Sequence, residues 1–154
     1  MPTMPISGND LARFSGPQTF MRLPEASSAE GVNVGFIGVP MDIGTSWRSG
    51  TRMGPKQLRE QSAMIRPYNI QTGAAPFDAL QCADLGDVAI NTFSLSDTIR
   101  LITETYDAHL EHDFIPMGLG GDHTMTLPIL RSIAKKHGPV ALVHVHAHAD
   151  VNDE

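Results

Sequence analysis

The chain has a single cysteine among its 154 residues, and only 18% of its residues are charged. Cys82 has no partner for an internal disulfide, so burial and hydrogen bonding must hold the fold, and a lone thiol suits a reducing compartment. It lies among Leu80, Ala83 and Leu85, which marks it as a buried, inert thiol rather than a nucleophile. Basic runs are missing too. With a net charge of −6, nucleic acid and anionic membrane surfaces are poor partners. No apolar run is long enough to span a bilayer. Residues Met1 to Asp10 lack the charged-then-apolar plan of a signal peptide. A cytoplasmic location is the expectation. What remains is a chain with 41% hydrophobic residues, enough for the core of one domain.

Residues 1–30 are rich in Pro, Gly and Ser and predict an arm over the surface with about one helical turn. Residues 31–154 then form one domain. Strands are predicted at 32–39, 82–88, 114–119 and 140–145, the last apolar throughout and so expected to be buried on both faces. Helices are predicted from Pro55 to about Ile65, from the Ser94–Asp97 cap through about Leu110, and over Thr124–His137. In the second of these, Leu95, Ile99, Ile102, Tyr106 and Leu110 make an amphipathic stripe. Strands alternating with helices predict an α/β fold: a mostly parallel sheet with helices on both sides.

Two clusters fall at the carboxyl ends of predicted strands. One is Gly120-Gly121-Asp122-His123. The other is the run from His144 to Asp150, in which His144, His146, His148 and Asp150 occupy every second position and would share one face of an extended chain. A Gly-Gly pair before a helix is by itself only a tight turn, and a lone histidine is an ordinary surface residue. Several imidazoles beside a carboxylate are harder to place in a dry core, where each would need its own hydrogen-bond partner. If the third and fourth strands are neighbours, both clusters open on the edge where open α/β sheets bind ligands. Metal ligation by His123, His146, His148 and Asp150 is the resulting expectation. His109, His112 and His137 lie near helix ends and are expected to be solvated. Arg48 and Arg52, in the glycine-rich segment from Gly44 to Gly54, could hold a substrate carboxylate. They are expected instead to brace a loop or a subunit contact, with Trp47 at the same place.

These segments resemble the ureohydrolases, the arginase and agmatinase superfamily. The resemblance is carried in order by Gly38–Ser46, Arg48–Pro55, Gly120–His123 and Ala147–Asp150. Met64–Asn69 and Ala83–Asn91 are similar to the bacterial guanidino-acid hydrolases, the guanidinobutyrase group above all. The resemblance implies an arginase-like three-layer α/β/α fold, of which this chain would be the N-terminal half. It implies hydrolysis of a guanidino group to urea and an amine at a pair of Mn2+ ions, by a hydroxide that the ions share. His123 and Asp150 would then ligate one ion and His148 the other, and Asn152 would help hold the far end of the substrate. The implied substrate is the small molecule 4-guanidinobutanoate, with agmatine and guanidinopropanoate as alternatives. A homo-oligomer is implied for the full-length form.

Two departures from the family pattern stand out. The family reads Asp-Ala-His-x-Asp where this chain has His146, and the replaced aspartate bridges both metals. A neutral imidazole offers one lone pair to one metal. Family members are also about twice as long, and their second halves carry an Asp-x-Asp motif with two further ligands. Inactivity of this chain by itself is therefore expected. Two other readings stay open: a non-catalytic subunit that associates with longer chains, and a single histidine-rich centre suited to zinc or iron rather than to paired manganese.

Overall fold

A computed structural model describes residues 4–150 of the chain. Among the described residues the sheet has three parallel strands, β1 (Val34–Val39), β2 (Cys82–Asp87) and β3 (Ile115–Gly120), in the order β2-β1-β3. The helices are α1 (Gly54–Ser62), α2 (Pro76–Ala79), α3 (Leu95–His109) and α4 (Thr126–His137). None of them is long and apolar enough to cross a membrane.

Alternation along the central strand separates two cores. Ile37 and Val39 join Ala83 and Leu85 beneath Ile102, Tyr106 and Leu110, with Ile129 and Ile133 of α4 beside them. Val34 and Phe36 face the other way, against Leu23, Phe77 and Cys82. A Cβ at Gly38 would meet Pro55, which places α1 on this second face. Helices therefore cover both faces, and the architecture is three-layer α/β/α. Burial pushes the Cys82 thiol pKa up, which leaves the thiol protonated and inert.

The α3 helix starts as its sequence predicts, with the Ser94 hydroxyl accepting from the Asp97 amide at 3.2 Å. Ile102, Tyr106 and Leu110 of the predicted stripe are buried and Ile99 half-buried, but Leu95 is exposed and Thr98 takes the inward position in the first turn. Thr98 can be buried because its hydroxyl donates to the Asn91 carbonyl and accepts from the Asn91 amide, so no polar atom is stranded. Ile102 is fully enclosed and contributes about 1.5–3 kcal/mol by burial; Tyr106 is enclosed too, but its hydroxyl has no hydrogen-bond partner among the described residues, which offsets part of the gain from its ring. His112 is not free in solvent as its helix-end position suggested. It lies 3.1 Å from the Ser28 hydroxyl, and the neighbouring His109 is partly buried, edge-on to Phe114.

The fourth predicted strand is a correction. Residues 140–145 pair with no strand among the described residues, and Val143 and Val145 are 89% and 93% exposed. An apolar run becomes a buried strand only where a ladder partner and two covering layers exist. Here the segment turns over the carboxyl end of β3 instead of lying beside it.

The arm is tied to the sheet through one carboxylate. Pro24 and Ala26 exchange backbone hydrogen bonds with Asp84, covering the outer edge of β2. The Asp84 side chain accepts from the Phe20 amide at 2.9 Å, the Gly86 amide at 2.9 Å, and Arg59 Nε and Nη2 at 2.8 and 3.0 Å. The Arg59 guanidinium also lies 4.1 Å from the Phe20 ring centroid, a favourable cation–π distance. The arm, α1 and β2 thus meet at one buried ion pair. Asp84→Ala should cost about 3–5 kcal/mol in urea denaturation, because it strands a guanidinium that is only 12% exposed. Asp87→Ala removes a carboxylate 42% exposed from the same arginine and should cost under about 1 kcal/mol. Equal losses would show that Asp84 has no special place.

Candidate metal centre

The order in which the chain adds strands reverses between β1 and β3, β2 lying to one side of β1 and β3 to the other, and the loops leaving their carboxyl ends lie together at that switch point, where open α/β sheets form crevices. After β3 the chain turns at Gly121 with φ +95°. A Cβ there would come within 2.3 Å of the Val39 carbonyl oxygen, so only glycine lets β3 end this close to β1. Asp122 follows, buried. Its carboxylate accepts from the Thr124 amide and from the Gly44 amide, both at 2.8 Å. The first bond caps the short 3-10 turn His123–Met125. The second ties that turn to the loop after β1. His123 is thus presented on a turn fixed from two sides.

The loop after β1 has its own latch. Asp42 accepts from the Gly50 amide at 2.7 Å and from Arg52 Nε at 2.6 Å. The hydrogen bond from Arg52, then that from Gly50, holds the Asp42 carboxyl down at about 2. Arg52 therefore braces the loop, as expected. Arg48 sits over the exposed Trp47 ring, 5.9 Å from its centroid.

The second cluster reaches His123 from the far side of α4. One ligand atom from each of His123, His144, His146 and Asp150 falls within 4.8 Å of all the others. Ring centroids are 5.1 Å apart for His123–His144, 4.5 Å for His123–His146 and 5.2 Å for His144–His146, the last pair nearly parallel. Asp150 contacts His123 Nδ1 directly and lies 3.4 Å from His146 Nδ1. The hydrogen bond from His123 lowers the Asp150 carboxyl pKa. All four residues are exposed.

Of the four residues expected to ligate, the structure gathers His123, His146 and Asp150, and substitutes His144 for His148. The extended alternation survives through His144 and His146. The chain then bends over 146–148, which turns the His148 ring to 61° from that of His146. Asp150 comes back toward the cluster with φ +51°, a left-handed conformation that Asp tolerates better than most residues. Asn152 lies outside the described residues. Asp122 and Asp42 went unnoticed as positioning residues. For Asp122, an acidic residue directly before a helical turn was an available signal; for Asp42 no local pattern points to Gly50.

The donor set decides what it can hold. Three imidazoles and one carboxylate match one first-row divalent ion. They do not match a metal pair. Two dications about 3.5–4 Å apart repel by roughly 18 kcal/mol at an effective dielectric of about 20. Shared carboxylates normally offset that repulsion, and Asp150 is the one carboxylate in the group.

Comparison with known proteins places this arrangement. The Arginase family model matches residues 32–154. The chain is 60% identical over 152 residues to guanidinobutyrase of Pseudomonas aeruginosa, covering 97% of this chain and 48% of that protein. It is 51% identical over 150 residues to the mitochondrial agmatinase of Gallus gallus, covering 97% and 44%. The solved proclavaminate amidino hydrolase of Streptomyces clavuligerus superposes with a TM-score of 0.84 at 38% identity, covering 91% of this chain and 46% of the other. The chain spans just under half the length of the curated relatives it matches.

The latch at Asp42 has a pH signature. Its folded pKa is depressed, so it favours the folded loop fully above the ordinary 3.8 and loses that effect as pH falls toward about 2. A carbon-detected NMR titration of Asp42 should show a midpoint near 2, and Arg52→Ala should move it up toward 3.8. At Asp122, substitution by Ala should cost about 1–2 kcal/mol of stability and speed hydrogen exchange at the Gly44 and Thr124 amides. Unchanged protection at Gly44 would mean the two loops are not coupled through this carboxylate.

Proposed function

The chain belongs to the arginase family, and on that premise we propose that it supplies the N-terminal part of an amidinohydrolase that cleaves 4-guanidinobutanoate to urea and 4-aminobutanoate. The observation that carries this reading is the meeting of His123 with Asp150 at the carboxyl edge of the sheet, from segments separated by the whole of α4. The high identity to a guanidinobutyrase over nearly the full chain supports the substrate. Agmatine and guanidinopropanoate differ from it in the charge or length of the tail, and remain the alternatives to exclude. Manganese is the metal we propose for the lineage; the donors present in this chain suit one ion rather than a pair.

The residues at hand suggest how a guanidino substrate would meet this edge. An open groove of about 550 Å3 runs beside His123 and Asp150, lined by Thr124, Thr126, Leu127, Leu130 and Leu142. Leucines at its floor suit a methylene chain, and threonines suit polar ends. Asp150 brings negative charge to the rim, which favours a guanidinium. Asp122 fixes the turn that carries His123, so that side of the groove is preorganised.

A second reading has its own support. Ile115 and Met117 on β3, an edge strand of the sheet, and Val143 and Val145 beyond α4 are exposed apolar residues. Such a surface suits a chain that associates with longer subunits without catalysing.

A urea-release assay separates these readings. The proteins to compare are the 154-residue chain and the same chain extended with the remaining sequence of the Pseudomonas aeruginosa guanidinobutyrase, with His146 and with His146→Asp. The 154-residue chain should release no urea. The extended His146→Asp protein should turn over 4-guanidinobutanoate in preference to agmatine. The extended His146 protein should be slower by about 10–100-fold or more, the scale of a disturbed metal site. Urea from the 154-residue chain would refute its inactivity, and preference for agmatine would replace the substrate.

A further inference from the structure

We propose that His123, His144, His146 and Asp150 form a closed, four-donor site for a single divalent ion of the zinc class, and that this ion clamps residues 139–150 to the sheet edge rather than activating a substrate. The proposal takes from the functional reading only that a metal belongs at this edge.

Geometry comes first. Donors around a tetrahedral zinc at about 2.0–2.1 Å lie roughly 3.4 Å from one another. All four donors fit within 4.8 Å of one another. All four side chains are exposed, which leaves them room to contract onto an ion. His123 and Asp150 are already in direct contact. Three imidazoles and one carboxylate form a nitrogen-rich set, which suits zinc or cobalt better than an oxygen-seeking ion.

The identity of the third imidazole follows from the local backbone. His144 and His146 present parallel rings, and both lie next to His123. His148 is turned away by the bend, and its amide and carbonyl contact His146 Nδ1 instead. It braces His146 rather than adding a donor.

The clamp role rests on two further facts. Four protein donors fill a tetrahedral shell and leave no open position, which is the pattern of structural rather than catalytic zinc. Residues 139–150 make no backbone-to-backbone hydrogen bond among the described residues, and residues 141–150 are exposed throughout. The contacts of His144, His146 and Asp150 with His123 tie the segment to a fixed turn. Metal binding that joins such a segment to a fixed turn is coupled to ordering of the segment.

Nearly every nitrogen and oxygen site prefers zinc to manganese, so that preference decides nothing. Count, coordination number and donor identity do. The test is titration of the 154-residue chain with Co2+, read by visible absorption and by metal content after dialysis. Hydrogen exchange over residues 139–150 is followed in parallel. One Co2+ per chain should bind with the intense bands of a four-coordinate ion, be displaced by Zn2+, and slow exchange across 139–150. His144→Ala should weaken binding by roughly 100-fold, at or beyond the upper end for disturbed metal sites, with circular dichroism unchanged. His148→Ala should retain the four-coordinate spectrum and most of the affinity.

Two ions per chain, a pale six-coordinate spectrum, or equal losses for His144→Ala and His148→Ala would each overturn the proposal. So would absence of binding. If any of these occurred while the extended His146→Asp protein still released urea, the hydrolase reading would stand and only the clamp would fall. A four-coordinate ion with no urea from any extended form would leave the clamp and remove the hydrolase.

Discussion

The Asp84 carboxylate is the point on which the architecture turns. It is nearly inaccessible to solvent, yet every acceptor direction is used: two backbone amides and two nitrogens of Arg59 converge on it. A buried carboxylate is tolerable only when its charge is matched and its lone pairs are filled. Meeting those conditions brings together the arm, through Phe20, the first helix, through Arg59, and the second strand, through Asp84 itself. Because the arm is secured there, Pro24 and Ala26 can cover the β2 edge, and that side of the sheet is closed to unwanted pairing.

The same residue type serves a different purpose at each place in the fold, and burial with its partners makes the difference. Asp42 and Asp122, like Asp84, are buried, and each of their carboxylate oxygens accepts from the protein. They hold loops in place and have no oxygen to spare for a ligand. Asp150 is exposed and bonded mainly to imidazoles, groups that can exchange a proton for a metal. A functional centre and its supports thus use the same chemistry on either side of a solvent boundary. The supports come from the loops after β1 and β3, which the reversal in strand order places side by side.

Much of this was legible from the residues. The strand expected at 32–39, the helix expected from the Ser94–Asp97 cap and the helix expected over Thr124–His137 formed within a few residues of those bounds. The two clusters at strand ends predicted a centre at one edge of the sheet. The misreadings have physical causes. Leu95 was assigned to the buried stripe because it is apolar, but Thr98 lies on the inward face and satisfies its hydroxyl locally. Residues 140–145 have the composition of a buried strand. Composition cannot supply a neighbouring strand or a covering layer, and neither is present around them among the described residues.

By itself the sequence determined the α/β class, the order of elements, the family, and the loops that carry metal-binding residue types. These follow from local periodicity, turn chemistry and short motifs, in which each residue is read against its near neighbours. Only the tertiary structure decided which of these side chains lie together. His144 and His148 are equivalent in an alternating row, each two residues from His146. A bend at 146–148 and a left-handed Asp150 break that equivalence, and the turn fixed by Asp122 sets the spot on which the remaining donors close.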